Sequence, residues 1–276
     1  MATAKKDYAA IAAAAIYQPQ DADAPTKSRK KKILVYGRQK KGKTTFAMSA
    51  PNILMIDPEF GSDDKVEKNP HIWPVRSWAE MNDVYYFLRS NPDCPKHKGK
   101  EAHKFEWVGV DGMTKLANYA LRHVMKVEEE RSLERIPGLV QQRDYGKAGE
   151  LMKDMMSQFH NLDLGVIYTA QERQDAPWAG DEDEDVEEAS VSYVPDLPKG
   201  VRGALLSLVD VIGRLYIVPI EKDGKRLPQR RLWIGPSLQY DTGFRSDYVL
   251  PDMLKVPTVP RLNRLLTTGS ANLPKK

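Results

Sequence analysis

The chain has little that would tie it to an oxidised compartment or a membrane. It holds one cysteine, Cys94, in 276 residues, so no internal disulfide framework can form. His97 and His103 lie near Cys94, but the spacing fits no zinc pattern, and the segment reads as a polar, Lys-rich surface loop. No apolar run approaches the ~20 residues that a membrane helix needs. Lys5, Lys6 and an Ala-rich run to Ile16 imitate a leader. Alanine is a weak core for one, however, and Tyr8 and Tyr17 bracket the run. Residues 1–31 are therefore read as an arm, with a short Ala-rich helix over Tyr8–Tyr17 and a linker. No internal repeat is present. With 41% hydrophobic residues, the chain can bury one sizeable core.

Net charge is also small, +4, but it is unevenly placed. Lys27, Arg29, Lys30, Lys31 and Lys32 lead into the first strand, and Arg261, Arg264, Lys275 and Lys276 lie near the other end. Between them runs Asp181-Glu182-Asp183-Glu184-Asp185-Val186-Glu187-Glu188. Basic ends around an acidic middle suggest a polyanionic partner, and a segment that repels or regulates it.

What the chain does have is Gly37-Arg38-Gln39-Lys40-Lys41-Gly42-Lys43-Thr44, followed by Thr45. This is the G-x-x-x-x-G-K-[ST] phosphate loop, with Ile33–Tyr36 as a strand before it and a helix after it that Pro51 stops. Loop amides and a helix N-terminus converge on an anion there. Lys43 is expected on the β- and γ-phosphates and Thr44 on Mg²⁺. No N-K-x-D guanine signature is present, so ATP is favoured. Phe105–Asp111 is an apolar run ending in an acid, the form of a Walker B strand, and Asp111 is expected to hold Mg²⁺ through water. Strands are also expected at Asn52–Ile56, His71–Val75 and Leu164–Thr169. A hairpin of Val209–Pro219 and Arg230–Gly235 should turn at Asp223-Gly224. Helices are expected from Ser77, over Thr114–Glu130 and over Tyr145–Asn161. The fold class is α/β, a mostly parallel sheet flanked by helices with a C-terminal β-hairpin. The ATPase domain is set at residues 32–250, with an acidic loop at 175–200 and a basic, Pro-containing tail at 251–276 that carries a short helix near Arg261–Leu266. Lys43, Glu59, Asp111 and Gln171 are all placed just beyond strand ends, where such folds bind ligands.

The order of these features resembles the RecA-like P-loop ATPases, and in detail the small single-domain bacteriophage members associated with recombination and single-strand annealing. The resemblance is carried by Thr44-Thr45, Asp57-Pro58-Glu59, Asp111 and Thr169-Ala170-Gln171, over about residues 32–240. It implies that Glu59 orients the attacking water and that Gln171 senses the γ-phosphate. It also implies a cation from a neighbouring subunit, for which Arg214, Lys222, Arg230 and Arg231 are candidates. Further implications are a ring or filament of copies, single-stranded DNA as partner, a single-strand-binding or recombination protein as a possible second partner, and a cytoplasmic setting. Arg131, Arg135 and Arg143 are candidate DNA contacts. Two departures stand out. Lys40 and Lys41 occupy loop positions where small residues are usual, and the segment after Gln171 is acidic, which repels DNA. A RecA-like motor or loader in replication, and a nucleotide-dependent regulatory protein without DNA binding, remain open alternatives.

Overall fold

Parallel strands covered on both faces should read as unbroken apolar runs. Here β1 (Lys32–Gly37), β2 (Ile53–Asp57) and β4 (Trp107–Asp111) are buried along their whole length. The computed structural model describes residues 30–61, 71–89, 105–132, 134–175 and 191–272. The expected Tyr8–Tyr17 helix, the Cys94 loop and the acidic run 181–188 lie outside these residues. With β3 (Ile72–Pro74), β5 (Gly165–Asp175), β7 (Val211–Lys222), β8 (Lys225–Trp233) and β10 (Met253–Lys255), the strands pair in the order β10-β8-β7-β1-β5-β4-β2-β3, while β9 (Gly243–Phe244) pairs with β7 off this path. From β3 to β7 every neighbouring pair is parallel, and β8 and β10 then add antiparallel. This is an α/β core, a mostly parallel sheet flanked by helices, with a C-terminal hairpin.

Alternation along each strand feeds two separate cores. Leu34 and Tyr36 of β1 face a layer made by α2 (Trp78–Arg89), α3 (Met113–Arg131), α4 (Gln142–His160) and α5 (Lys199–Leu208). Ile33 and Val35 face the other layer, made by α1 (Lys43–Ala47) and α6 (Val259–Thr268). Each fully buried Leu, Ile or Val stabilises the fold by about 1.5–3 kcal/mol. Helix α2 begins as its sequence suggests: the Glu80 amide donates to Ser77 Oγ, and the Arg76 amide donates to Glu80 Oε2. The β7–β8 hairpin turns at Asp223 (φ 53°) and Gly224 (φ 69°). Two left-handed residues in a two-residue turn match the right-handed twist of the flanking strands.

Three parts of the sequence reading change. Strand β5 does not stop at Thr169. It continues to Asp175, because β6 (Ser192–Pro195) pairs antiparallel with Glu172–Asp175 and satisfies the backbone that a loop would leave open. Gln171 therefore stands within a strand. Helix α5, which begins inside the expected acidic loop, was hidden by Gly200 and Gly203. It is held by the buried stripe Val201 and Leu205. The segment read as a C-terminal tail with a short helix near Arg261–Leu266 has that helix, longer, and adds to the core. Its β10 joins the sheet edge, and α6 buries Val259, Leu262, Leu265 and Leu266. The Val259 amide donates to Ser49 Oγ at 2.8 Å, fixing α6 beside the end of α1.

Arg135, a candidate DNA contact, is not on the surface. It is buried and paired with Asp144, which also caps α4 by accepting from the Gln141 amide at 2.8 Å. Hydrogen bonding from Arg135 holds the Asp144 carboxyl below its ordinary range. A depressed carboxylate adds stability above its unfolded pKa, and that stability is lost as pH falls through the folded value. Asp144→Asn should therefore lower Tm at neutral pH by stranding a buried guanidinium. It should also remove part of the acid-induced fall in Tm seen in the parent, and thermal melts from pH 7 downward test both.

Candidate functional site

The phosphate loop joins β1 to α1 and shapes one side of an open cleft of about 780 Å³ at the carboxyl ends of the strands. Helix α1 has only five residues, about one and a half turns. Free amides of the loop, more than a long helix dipole, must therefore cradle an anion. Lys40 adopts φ 58°, a left-handed conformation that costs a lysine on the order of 1–3 kcal/mol and is typical of functional loops. Gly42 adopts φ 98°, and a Cβ there would run into the Arg230 guanidinium. Only glycine suits that position.

Lys43 is buried at the base of the loop. Its Nζ donates to Gly37 O at 2.9 Å, Arg38 O at 3.0 Å and Gln171 Oε1 at 3.0 Å. Burial lowers its pKa, while the nearby charges of Asp111, Glu59 and Glu172 act to raise it. Thr44 Oγ1 donates to Asp111 Oδ2 at 2.5 Å, and Thr169 Oγ1 donates to Asp111 Oδ1 at 2.6 Å. Asp111 is thus aimed at the hydroxyl that belongs on a cation, with its second oxygen fixed by Thr169. A hydroxyl and one oriented carboxylate suit Mg²⁺, which keeps several waters and takes its other ligands from substrate phosphates. Neither needs a cluster of protein ligands. Among the described residues no group of three or more His, Cys, Asp or Glu gathers elsewhere for a metal.

Glu59 reaches the same cleft from the loop after β2. Its amide donates to Asp57 Oδ1 at 3.0 Å. Partial burial, and then the negative charge of Asp111, raise its pKa; a hydrogen bond from Gln171 and the Lys43 charge pull the other way. Gly112 follows Asp111 with φ 123°, and a Cβ there would lie 2.8 Å from Glu59 Cγ. The glycine makes room for the carboxyl. Gln171 touches both sides of the site, accepting from Lys43 and hydrogen bonding to Glu59. Lys43, Thr44, Glu59, Asp111 and Gln171 therefore meet in one cleft. Gln39, Lys40 and Thr45 line it too. Arg38 points away, with its side chain 69% exposed, and Lys41 is half-buried.

The arginines expected on or beside the hairpin separate. Arg214 turns inward. It makes a two-point pair with Glu172, at 2.6 and 3.2 Å, and its guanidinium lies 4.3 Å from the Tyr240 ring centroid. Arg38 also approaches Glu172, at 3.5 Å. Arg231 bonds weakly to Gln229, and Lys222 stands exposed beside the hairpin turn. Arg230 lines the cleft of its own chain, across Gly42. The register explains why. Tyr36 pairs with Arg214, whereas Arg230 pairs with Ile217, so β7 and β8 run on past the end of β1 and overhang the loop. Sequence reasoning missed Thr169 as a partner of Asp111 and Gly112 as a spacer. The G-x-x-x-x-G-K-[ST] pattern signals neither.

A family model described as AAA domain matches residues 29–246. The chain belongs to the AAA domain family. The match takes in the phosphate loop, Glu59, Asp111, Gln171 and Arg230 of this AAA domain. Among solved structures, it is similar to the crystal structure of the KaiC-like protein PH0186 from the hyperthermophilic archaeon Pyrococcus horikoshii OT3. That similarity has 14% identity and a TM-score of 0.37, and covers 78% of this chain and 82% of that one. No curated protein matches it. No helix among the described residues of the AAA domain is long and apolar enough to cross a membrane.

Proposed function

We propose that this P-loop ATPase is a Mg²⁺-dependent ATP hydrolase of phage DNA recombination, acting on single-stranded DNA as an oligomer. The convergence of Lys43, Thr44, Glu59, Asp111 and Gln171 on one cleft carries the hydrolytic half of the reading. The resemblance to shortened recombinases supports the other half. Thr44 and Asp111 would hold Mg²⁺, which when bound neutralises charge on the phosphates. Lys43 exchanges its contacts with the Gly37 and Arg38 carbonyls for the β- and γ-phosphates. Glu59 accepts the proton of the water whose oxygen attacks the γ-phosphorus, while the bond from that phosphorus to the β-bridging oxygen breaks and ADP leaves. Gln171, released from Lys43, donates its side-chain amide to the γ-phosphate and reports the exchange through β5 to the segment beyond Asp175. Arg230 supplies the cation to the nucleotide on its own chain, in place of one from a neighbour.

A regulatory ATPase without DNA binding is the second reading, and a specific observation favours it. Arg131, Arg143 and Lys147 all lie within 4.0 Å of Glu128, and Arg135 is buried on Asp144. The loop expected to touch DNA is thus partly neutralised by its own carboxylates. ATP hydrolysis with and without single-stranded DNA, at low and high salt, separates the readings, with Lys43→Ala as control. Stimulation that fades with salt is expected for the recombination ATPase. Lys43-dependent hydrolysis indifferent to DNA would transfer the assignment to the regulatory reading. Hydrolysis by Lys43→Ala equal to the parent would remove the ATPase assignment altogether.

A further inference from the structure

The end of the sheet opposite the ATP cleft carries a second groove, of about 430 Å³. Lys30 and Lys31, immediately before β1, form one side, and the Asn263, Arg264, Thr267 and Thr268 face of α6 forms the other. The fold thus brings together basic residues that the sequence holds more than two hundred positions apart.

Arg264 is the unusual member. Its Nε is buried and has no hydrogen-bond partner. A buried donor left unpaired costs about 1–3 kcal/mol, so such groups call for an explanation. Its neighbour on α6 shows the ordinary outcome. Arg261 spends its guanidinium on the carbonyls of Lys255, Val256 and Ala271. Arg264 makes no such bonds, and among the described residues neither it nor Lys31 has a carboxylate partner. Lys30 is the tempered one, 3.8 Å from Glu106, whose other oxygen accepts from Asn52 at 2.7 Å.

We propose that this groove binds phosphate groups, with Arg264 and Lys31 as the charged contacts and Asn263 as a neutral donor; the Thr267 and Thr268 hydroxyls donate to backbone carbonyls of their own helix and its end. Guanidinium and ammonium groups suit phosphate oxygens, and the Nη end of a guanidinium can engage two of them. The groove follows α6 for its ten residues, about 15 Å, enough for successive phosphates of an extended strand. The strand is the source favoured here, which rests on the single-stranded DNA reading above; free phosphate is the other.

The test uses the full chain carrying Lys43→Ala, which weakens the phosphate contact of the ATP cleft, and reads the difference that each groove substitution makes in that background. Anisotropy of a labelled single-stranded 20-mer is followed over a salt series, and inorganic phosphate is titrated by calorimetry. Arg264→Gln, alone and with Lys31→Gln, should weaken the oligonucleotide about tenfold per charge removed. It should also reduce the slope of log K against log salt by about 0.7 for each phosphate no longer neutralised. Lys126→Gln, which removes a charge from exposed α3, should do neither, and thermal melts check that each variant is folded. Loss of inorganic phosphate binding in Arg264→Gln, with oligonucleotide binding intact, would support the groove and name free phosphate as its source. Oligonucleotide and phosphate binding both unchanged in the folded double variant overturn the proposal. If the unmutated groove binds no oligonucleotide, the single-stranded DNA reading falls, and the phosphate titration alone decides the groove.

Discussion

Glu59→Gln is expected to lower kcat for ATP hydrolysis by about 10²–10⁴-fold, the usual contribution of a positioned general base, while ATP still binds. The isostere keeps the bulk beside Gly112 and removes only the ability to take a proton. Burial and the Asp111 charge raise the Glu59 pKa above the ordinary glutamate value of about 4.3. The base works only when ionised. Activity should therefore fall as pH drops through that raised value, at a less acidic pH than an ordinary glutamate would set. The acid limb of the kcat/KM profile should vanish in Glu59→Gln. Equilibrium binding of a fluorescent ATP analogue separates impaired chemistry from impaired affinity. A variant as fast as the parent would place the base elsewhere.

Arg230→Ala is expected to slow hydrolysis by about 10³-fold, the low end of what an arginine supplies to phosphoryl transfer. The mixing experiment that follows is more decisive. Lys43→Ala chains retain Arg230, and Arg230→Ala chains retain a working phosphate loop. If a neighbour supplied the cation, mixed oligomers of the two would regain activity. The geometry sets Arg230 against Gly42 of the same chain, so the mixture should stay as inactive as its parts. Recovered turnover would put Arg230 in the adjacent site, as the family resemblance implies.

The motifs that act through local chemistry were legible in the sequence. Gly42-Lys43-Thr44 needs only its own loop, and Asp223-Gly224 only its own turn, so both could be read without knowing the neighbours. Features that depend on a distant partner were not legible. Gln171 looked like a loop residue because Glu172 and Arg173 break the apolar run, yet β6 pairs with this stretch and keeps it extended. Arg135 looked like surface charge because nothing nearby in the pattern marks Asp144 as its buried partner. Gly200 and Gly203 concealed α5, which tertiary burial of Val201 and Leu205 overrides. The four-way choice among Arg214, Lys222, Arg230 and Arg231 needed the register of β7 against β1 and β8. Only that register shows which side chain faces the protein interior and which overhangs the loop.

The central place of β1 also governs when the site can come into being. The amide of Lys32 donates to Asp210 Oδ2 across 178 positions of sequence, and β1 lies between β5 and β7, both made much later. At synthesis rates of about 5–20 residues per second, the phosphate loop would wait roughly 10–35 s for its flanking strands. Until β5 emerges the apolar β1 has no native neighbour on either side, and until β7 follows one of its edges stays open. The cleft gains its last side chain, Arg230, only once β7 and β8 have joined the sheet beside β1.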